Sequence, residues 1–87
     1  MRSPDVARRL RRVEGQIAGI RRMCEDERYC IDVLDQIAAA RAALDAVGLK
    51  VLEQHVGGCV REALEKGEGT EKTDELVAAI RRFVRSS

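Results

Sequence analysis

CIDVLDQIAAARAALDAVGLKVLEQHVGGCVREALEK, residues 30–66, is the stretch whose reading decides the fold. Ile31, Leu34, Ile37, Leu44, Val47, Val51, Leu52, Val56, Val60 and Leu64 recur at helical steps, and no proline interrupts them. The spacing predicts one long helix from about Cys30 to Lys66. Gly67-Glu68-Gly69 then ends it, glycine being the usual residue just past a helix. At its middle stand Ala38-Ala39-Ala40-Arg41-Ala42-Ala43-Leu44, small side chains suited to close crossing by another helix.

Outward from this helix the chain is helical on both sides. Upstream, Ser3 is placed to cap a first helix, with Pro4 at its first position and Asp5 in its first turn. Val6, Leu10, Val13, Ile17, Ile20 and Cys24 then alternate steps of four and three, a heptad-like apolar seam. Two positions on, about 200° round the helix, runs a second line of Arg8, Arg12, Gly15, Gly19 and Arg22. Glycines at i and i+4 suggest close approach by a helix or by a phosphate backbone. Glu25-Asp26-Glu27-Arg28 reads as a turn. Downstream, a short third helix is expected from about Lys72 to Arg85, with Leu76, Val77, Ile80, Phe83 and Val84 on one face. The expectation is an all-α, three-helix protomer forming one domain over residues 1–87.

Composition narrows the function classes. Of 87 residues, 45% are hydrophobic and 36% charged, and Tyr29 and Phe83 are the only aromatics, so the core must be aliphatic. A chain this short buries a modest core and often leans on a metal or a second subunit. No apolar run approaches the roughly 18 residues that span a bilayer, and no signal-peptide pattern opens the chain. A cytoplasmic location is expected, with Cys24, Cys30 and Cys59 serving as thiols rather than as a disulfide framework. The net charge of +1 hides its distribution. Residues 1–22 hold seven arginines against Asp5 and Glu14, residues 23–80 hold six basic and thirteen acidic side chains, and residues 81–87 add three arginines. Basic ends around an acidic middle suit a polyanion such as nucleic acid, although solvated arginine faces produce the same pattern. No paired carboxylates, nucleophile–base set or phosphate-binding glycine loop suggests an enzyme.

One constellation carries chemistry. His55 and Cys59 are four apart and share a helix face, a spacing suited to one metal, though such pairs also occur in helices that bind nothing. Cys30 is the obvious third ligand, yet 25 residues at helical rise place it roughly 38 Å from His55. Two copies of the helix packed antiparallel about a two-fold axis remove the difficulty. Cys30 of one copy then meets His55 and Cys59 of the other, and the crossing falls near residues 43 and 44, within the alanine-rich stretch. Two thiolates and an imidazole form a soft set of low coordination that suits Cu(I), whereas structural zinc usually takes four protein ligands. Gly57-Gly58 either loosen the turn between His55 and Cys59 or mark a kink. Cys24 continues the first seam and reads as a small buried hydrophobe.

These residues resemble a known family. Arg9-Leu10-Arg11-Arg12-Val13-Glu14-Gly15-Gln16 with Gly19-Ile20, Tyr29-Cys30-Ile31-Asp32-Val33-Leu34 with Gln36-Ile37, and His55 with Cys59 are similar to motifs of the CsoR/RcnR family, the copper-sensitive operon repressors of bacteria. The resemblance covers nearly the whole chain. It implies an antiparallel dimer, commonly paired into a tetramer, and Cu(I) held by Cys30 of one subunit with His55 and Cys59 of its partner. It further implies Tyr29 and Glu75 as outer groups that orient the ligands. Nickel- and cobalt-type members add an N-terminal ligand, and no histidine precedes Cys30 here. Formaldehyde-type members carry proline at position 2, which is arginine here, and persulfide-type members lack the histidine that His55 supplies. Basic residues near the middle of the family's long helix have Arg41 and Lys50 as their nearest counterparts.

Two function classes follow. The first is a repressor that binds double-stranded operator DNA in the apo form and leaves it on binding Cu(I), controlling copper-resistance or efflux genes. Arg8, Arg9, Arg11, Arg12 and Arg22 then neutralise phosphates, with Arg41 and Lys50 beside them. The second is a cysteine-based redox or persulfide sensor of the same fold, or a copper buffer that leaves DNA alone. His55 separates them, since a sensor built on a cysteine pair does not need it.

Overall fold

A serine, a proline and an aspartate start the first helix as local chemistry predicts. In the computed structural model, which describes residues 2–86 and the side chains of all of these except 55–57, 59, 60 and 86, helix α1 spans Pro4–Glu25. Ser3 is extended, and its hydroxyl oxygen accepts from the Val6 amide at 3.2 Å. Such a cap contributes about 1 kcal/mol. Pro4 occupies the first turn, where a missing N–H is no loss, and Asp5 places a negative charge at the positive end of the helix.

Both interhelical connections are built the same way. At the end of α1 the Arg28 amide donates to the Met23 carbonyl at 3.0 Å and the Glu27 amide to Cys24 at 3.2 Å. Glu27 sits between them at φ 54°, so this is a Schellman closure made with a non-glycine residue in the left-handed region. Helix α2 follows at once over Cys30–Glu65, its Val33 amide donating to the Tyr29 carbonyl. At its end the Glu68 amide reaches the Ala63 carbonyl at 2.7 Å and the Gly67 amide reaches Leu64 at 3.2 Å, with Gly67 at φ 75°. Lys66 donates to Glu62 across this last turn. That bond first, and the Lys66 charge second, hold the Glu62 carboxyl below its ordinary value.

Helix α3 spans Gly69–Ser86, so it begins about three residues before the position expected from the sequence. Of the two glycines flanking Glu68, only Gly67 takes a positive φ; Gly69 is already in the first helical turn. A methyl on Gly69 would sit 2.6 Å from the end of the Leu64 side chain, which leans over it. The all-α, three-helix protomer is otherwise as predicted. Among the described residues no helix is long and apolar enough to cross a membrane.

The chain divides into two compact units, Met1–Lys50 and Val51–Ser87. In the first, Val6 and Val13 of α1 and Ala40 and Val47 of α2 are buried. Each pair is seven residues apart, two turns on one face of its helix. The other half of the α1 seam is exposed among the described residues. Leu10 is 38% exposed, Ile17 is 55% exposed, and Cys24 is exposed as well. The expectation of a buried Cys24 is therefore corrected for the single chain: of the seam, only Val6 and Val13 are buried among the described residues. In the second unit Ala63 is buried.

Candidate metal centre and nucleic-acid interface

Cys30 is the first residue of α2, with a free, exposed thiol. Tyr29 immediately precedes the helix; its carbonyl takes the Val33 amide while the residue remains exposed. On α2 beyond Cys30 lies an apolar face left exposed among the described residues: Ile31, Leu34, Ile37 and Leu44 are each between 43% and 61% exposed. His55 and Cys59 are within α2, one turn apart, and belong to the second compact unit. Their side chains lie outside the described residues. Glu75, on α3, is exposed and forms an ion pair with Lys72 at 3.5 Å. Among the described residues no three His, Cys, Asp or Glu side chains converge as a metal site.

The basic residues of α1 are ordered by one carboxylate. Asp5 pairs with Arg8 one turn on, and with the Nε of Arg9 at 3.1 Å. A guanidinium gripped at Nε still has its terminal amines to offer elsewhere. Arg21 pairs with Glu25 at 3.4 Å, so that arginine is turned toward the end of its own helix. Arg11, Arg12 and Arg22 are exposed and make no ion pair among the described residues, and Arg41 of α2 is exposed too. Lys50, half-buried, ends the first unit.

Between α1 and α2, inside the first unit, runs an open groove. Arg9, Arg12 and Gln16 line it from α1, and Ala43 and Ala46 from α2. Buried Val13 and Val47 lie beneath, and Gly15 completes the α1 side. A methyl placed on Gly15 meets nothing within 4 Å, so packing within the chain does not call for a glycine there. Gly19 is nearly as open, with only the Arg22 side chain at 4.0 Å. A glycine inside a helix costs about 1 kcal/mol relative to alanine. Sequence reasoning placed Arg9 and Arg12 on a DNA-facing surface but passed over Asp5 as a partner and Gln16 as a lining residue. The i+3 and i+4 spacing of Arg8 and Arg9 from Asp5 was the available signal.

Comparison with known proteins agrees with this architecture. The model of the metal-sensitive transcriptional repressor family matches residues 2–82. The chain is 54% identical over 82 residues to the copper-sensing transcriptional repressor RicR of Mycobacterium tuberculosis, covering 92% of this chain and 85% of that protein. It is 42% identical over 81 residues to the copper-sensing transcriptional repressor CsoR of Bacillus subtilis, covering 93% and 80% respectively. Among solved structures, the copper-sensing repressor CsoR with Cu(I) from Geobacillus thermodenitrificans is similar at a TM-score of 0.89 and 42% identity, over 97% of this chain and 92% of that one. The nickel-responsive transcriptional regulator InrS is similar at a TM-score of 0.80 and 36% identity, over 95% and 93%. With the family model matching residues 2–82 and relatives up to 54% identical over most of their length, this chain belongs to the family of metal-sensitive transcriptional repressors.

Proposed function

We propose that the protein is a Cu(I)-responsive repressor, working in the cytoplasm, that holds operator DNA in the apo form and releases it on binding the metal. The observation that carries this reading is the exposed Cys30 thiol at the head of a helix whose apolar face is bare. A second copy packed antiparallel on Ile31, Leu34, Ile37 and Leu44 covers that face and brings its own His55 and Cys59 toward Cys30. The unit is then a homodimer, or a homotetramer built from two, and each dimer has two identical intersubunit sites.

The donor set fits the metal. Two thiolates and one imidazole match the softness and low coordination number of Cu(I), and the similarity to copper-sensing repressors points the same way. Nickel in a sulfur and nitrogen site favours four ligands in a square plane, one more than this set supplies. When bound, Cu(I) supplies a bond between subunits that the apo protein lacks. The chain's own residues do the rest. Tyr29 beside Cys30 and Glu75 on α3, here paired with Lys72, would act as outer groups that orient the ligands. Arg8, Arg9, Arg11, Arg12, Arg22, Arg41 and Lys50 take the phosphates of duplex DNA, so affinity falls steeply with salt. The protein's work is binding, and copper-efflux or copper-resistance genes are what such a repressor would control.

Metal and DNA are linked reciprocally: if copper disfavours the DNA-binding arrangement, DNA weakens copper binding by the same factor, typically about 1–3 kcal/mol. The test is a Cu(I) titration against a competing chelator, with DNA binding followed by anisotropy in the same samples. DNA affinity should drop as one Cu(I) per protomer is taken up. Tight copper binding with constant DNA affinity would instead describe a buffer, and release driven by a persulfide or peroxide in a His55→Ala variant would describe a thiol sensor.

A further inference from the structure

Cys24 has no part in the proposed metal centre, yet it shares one corner of the first unit with Cys30. The groove brings Val13 and Gln16 beside Ala43 and Val47, so α1 and α2 run antiparallel from the turn that joins them. On α1 an exposed line of Leu10, Ile17 and Cys24 repeats every seven residues, Leu10 and Ile17 lying four on from buried Val6 and Val13. On α2 an exposed line of Cys30, Ile37 and Leu44 has the same repeat, Leu44 lying four on from buried Ala40. Four residues turn a helix about 40° past a full circle. In antiparallel neighbours that turn carries both lines to the same side of the pair. Cys24 and Cys30 end these lines at the connection, one from each helix. The connection is drawn tight there, the Arg28 amide donating to the Met23 carbonyl at 3.0 Å and the Glu27 amide to the Cys24 carbonyl at 3.2 Å. Both thiols are free and exposed.

We infer that Cys24 and Cys30 of one chain form a two-thiolate receiving site for Cu(I), separate from the proposed intersubunit centre. Soft sulfur ligands select Cu(I), and a metal between two thiolates keeps their sulfurs about 4–5 Å apart, against about 2 Å in a disulfide. The wider span suits thiols carried on two helices. Each thiol gives its proton to solvent as its bond to the metal forms, and no electron is transferred. Cys30 then keeps its bond, Cys24 gives its own up, and His55 and Cys59 of the partner subunit take its place. The inference rests on the reading of Cys30 as a copper ligand and adds a step that one chain performs before the second contributes.

Removing the partner's ligands isolates the receiving site. His55→Ala combined with Cys59→Ala leaves Cys24 and Cys30 in place, and both changes put a good helix former into α2. Uptake of Cu(I) is measured without oxygen against a competing chelator. X-ray absorption at the copper edge counts the sulfur neighbours, and circular dichroism follows the helix content. The double variant should still take one Cu(I) per chain, less tightly than wild type, with two sulfur neighbours. Adding Cys24→Ser should weaken that uptake by more than the roughly 10–100-fold that loss of an outer partner costs, at unchanged helix content. Undiminished uptake after Cys24→Ser would overturn the inference, because Cys24 would then hold nothing. One Cu(I) per two chains in the double variant would overturn it as well, by assigning the metal to thiols of different chains. A double variant that takes up no copper while wild type takes one per protomer would overturn it and leave the intersubunit centre standing. A wild type that takes up no Cu(I) would overturn both.

Discussion

Asp5 touches two arginines, and the two possible meanings of that contact predict opposite signs. If the carboxylate merely competes with phosphate for Arg8 and Arg9, Asp5→Asn raises the positive charge of α1 and tightens DNA binding. If it holds Arg9 over the groove, the same change weakens binding although the charge now favours it. The second outcome is expected, because Arg9 is gripped at Nε while it also lines the groove. An exposed pair of this kind is worth about 0.5–1 kcal/mol, which sets a weakening of about two- to fivefold by anisotropy at low salt. Asp5 shows what the sequence displays at this scale and what it does not. Its spacing to Arg8 and Arg9 was visible, but a helix offers several such pairs. Only the position of Arg9 beside Arg12, Gln16 and Ala46 gives this one a consequence.

The connections carry the element scale. Two Schellman closures of the same hydrogen-bond pattern end α1 and α2, one with Glu27 and one with Gly67 in the left-handed region. A side chain there costs about 1–2 kcal/mol that glycine avoids. Glu27→Gly should therefore raise the unfolding free energy measured in urea by about 0.5–1 kcal/mol after the added chain entropy, and Gly67→Ala should lower it by about 1 kcal/mol. Equal and unchanged midpoints in both would contradict the account of these turns. Elements of this kind were legible where the chemistry is local: Ser3-Pro4-Asp5 announced the start of α1, and Gly67 announced the end of α2. The start of α3 was not legible. Gly67 and Gly69 look alike as helix breakers, and only the backbone conformation shows that one ends a helix while the other lies in the next. The α1 seam was half legible for a related reason. Periodicity shows that Val6, Leu10, Val13 and Ile17 share a face, but not that only Val6 and Val13 among them are buried.

At the scale of the whole molecule, the proposed function needs more than one chain. The bare edge of α1 at Leu10, Ile17 and Cys24 and the bare face of α2 from Ile31 to Leu44 are apolar surface without cover. Exposed patches of this kind mark interaction sites. The proposed metal ligands point the same way, since Cys30 opens the helix that holds His55 far along its length. Spacing in the sequence suggested Cys30, His55 and Cys59 as candidate ligands and set Cys30 too far from the other two to meet them within one helix. The site proposed for them would belong to two copies, which a single chain does not display.

Complementation between two defective chains tests that claim most directly. Cys30→Ala and His55→Ala are prepared separately and co-expressed, and Cu(I) uptake against a competing chelator is counted in each sample. Alone, each variant lacks a ligand at every site and should lose high-affinity binding, with apo DNA binding kept by Cys30→Ala. Mixed, half of the dimers hold one chain of each kind, and one of their two sites has Cys30 from one chain with His55 and Cys59 from the other. The mixture should recover about one quarter of the wild-type sites. A mixture that binds no more copper than its separate components would contradict a site shared between subunits.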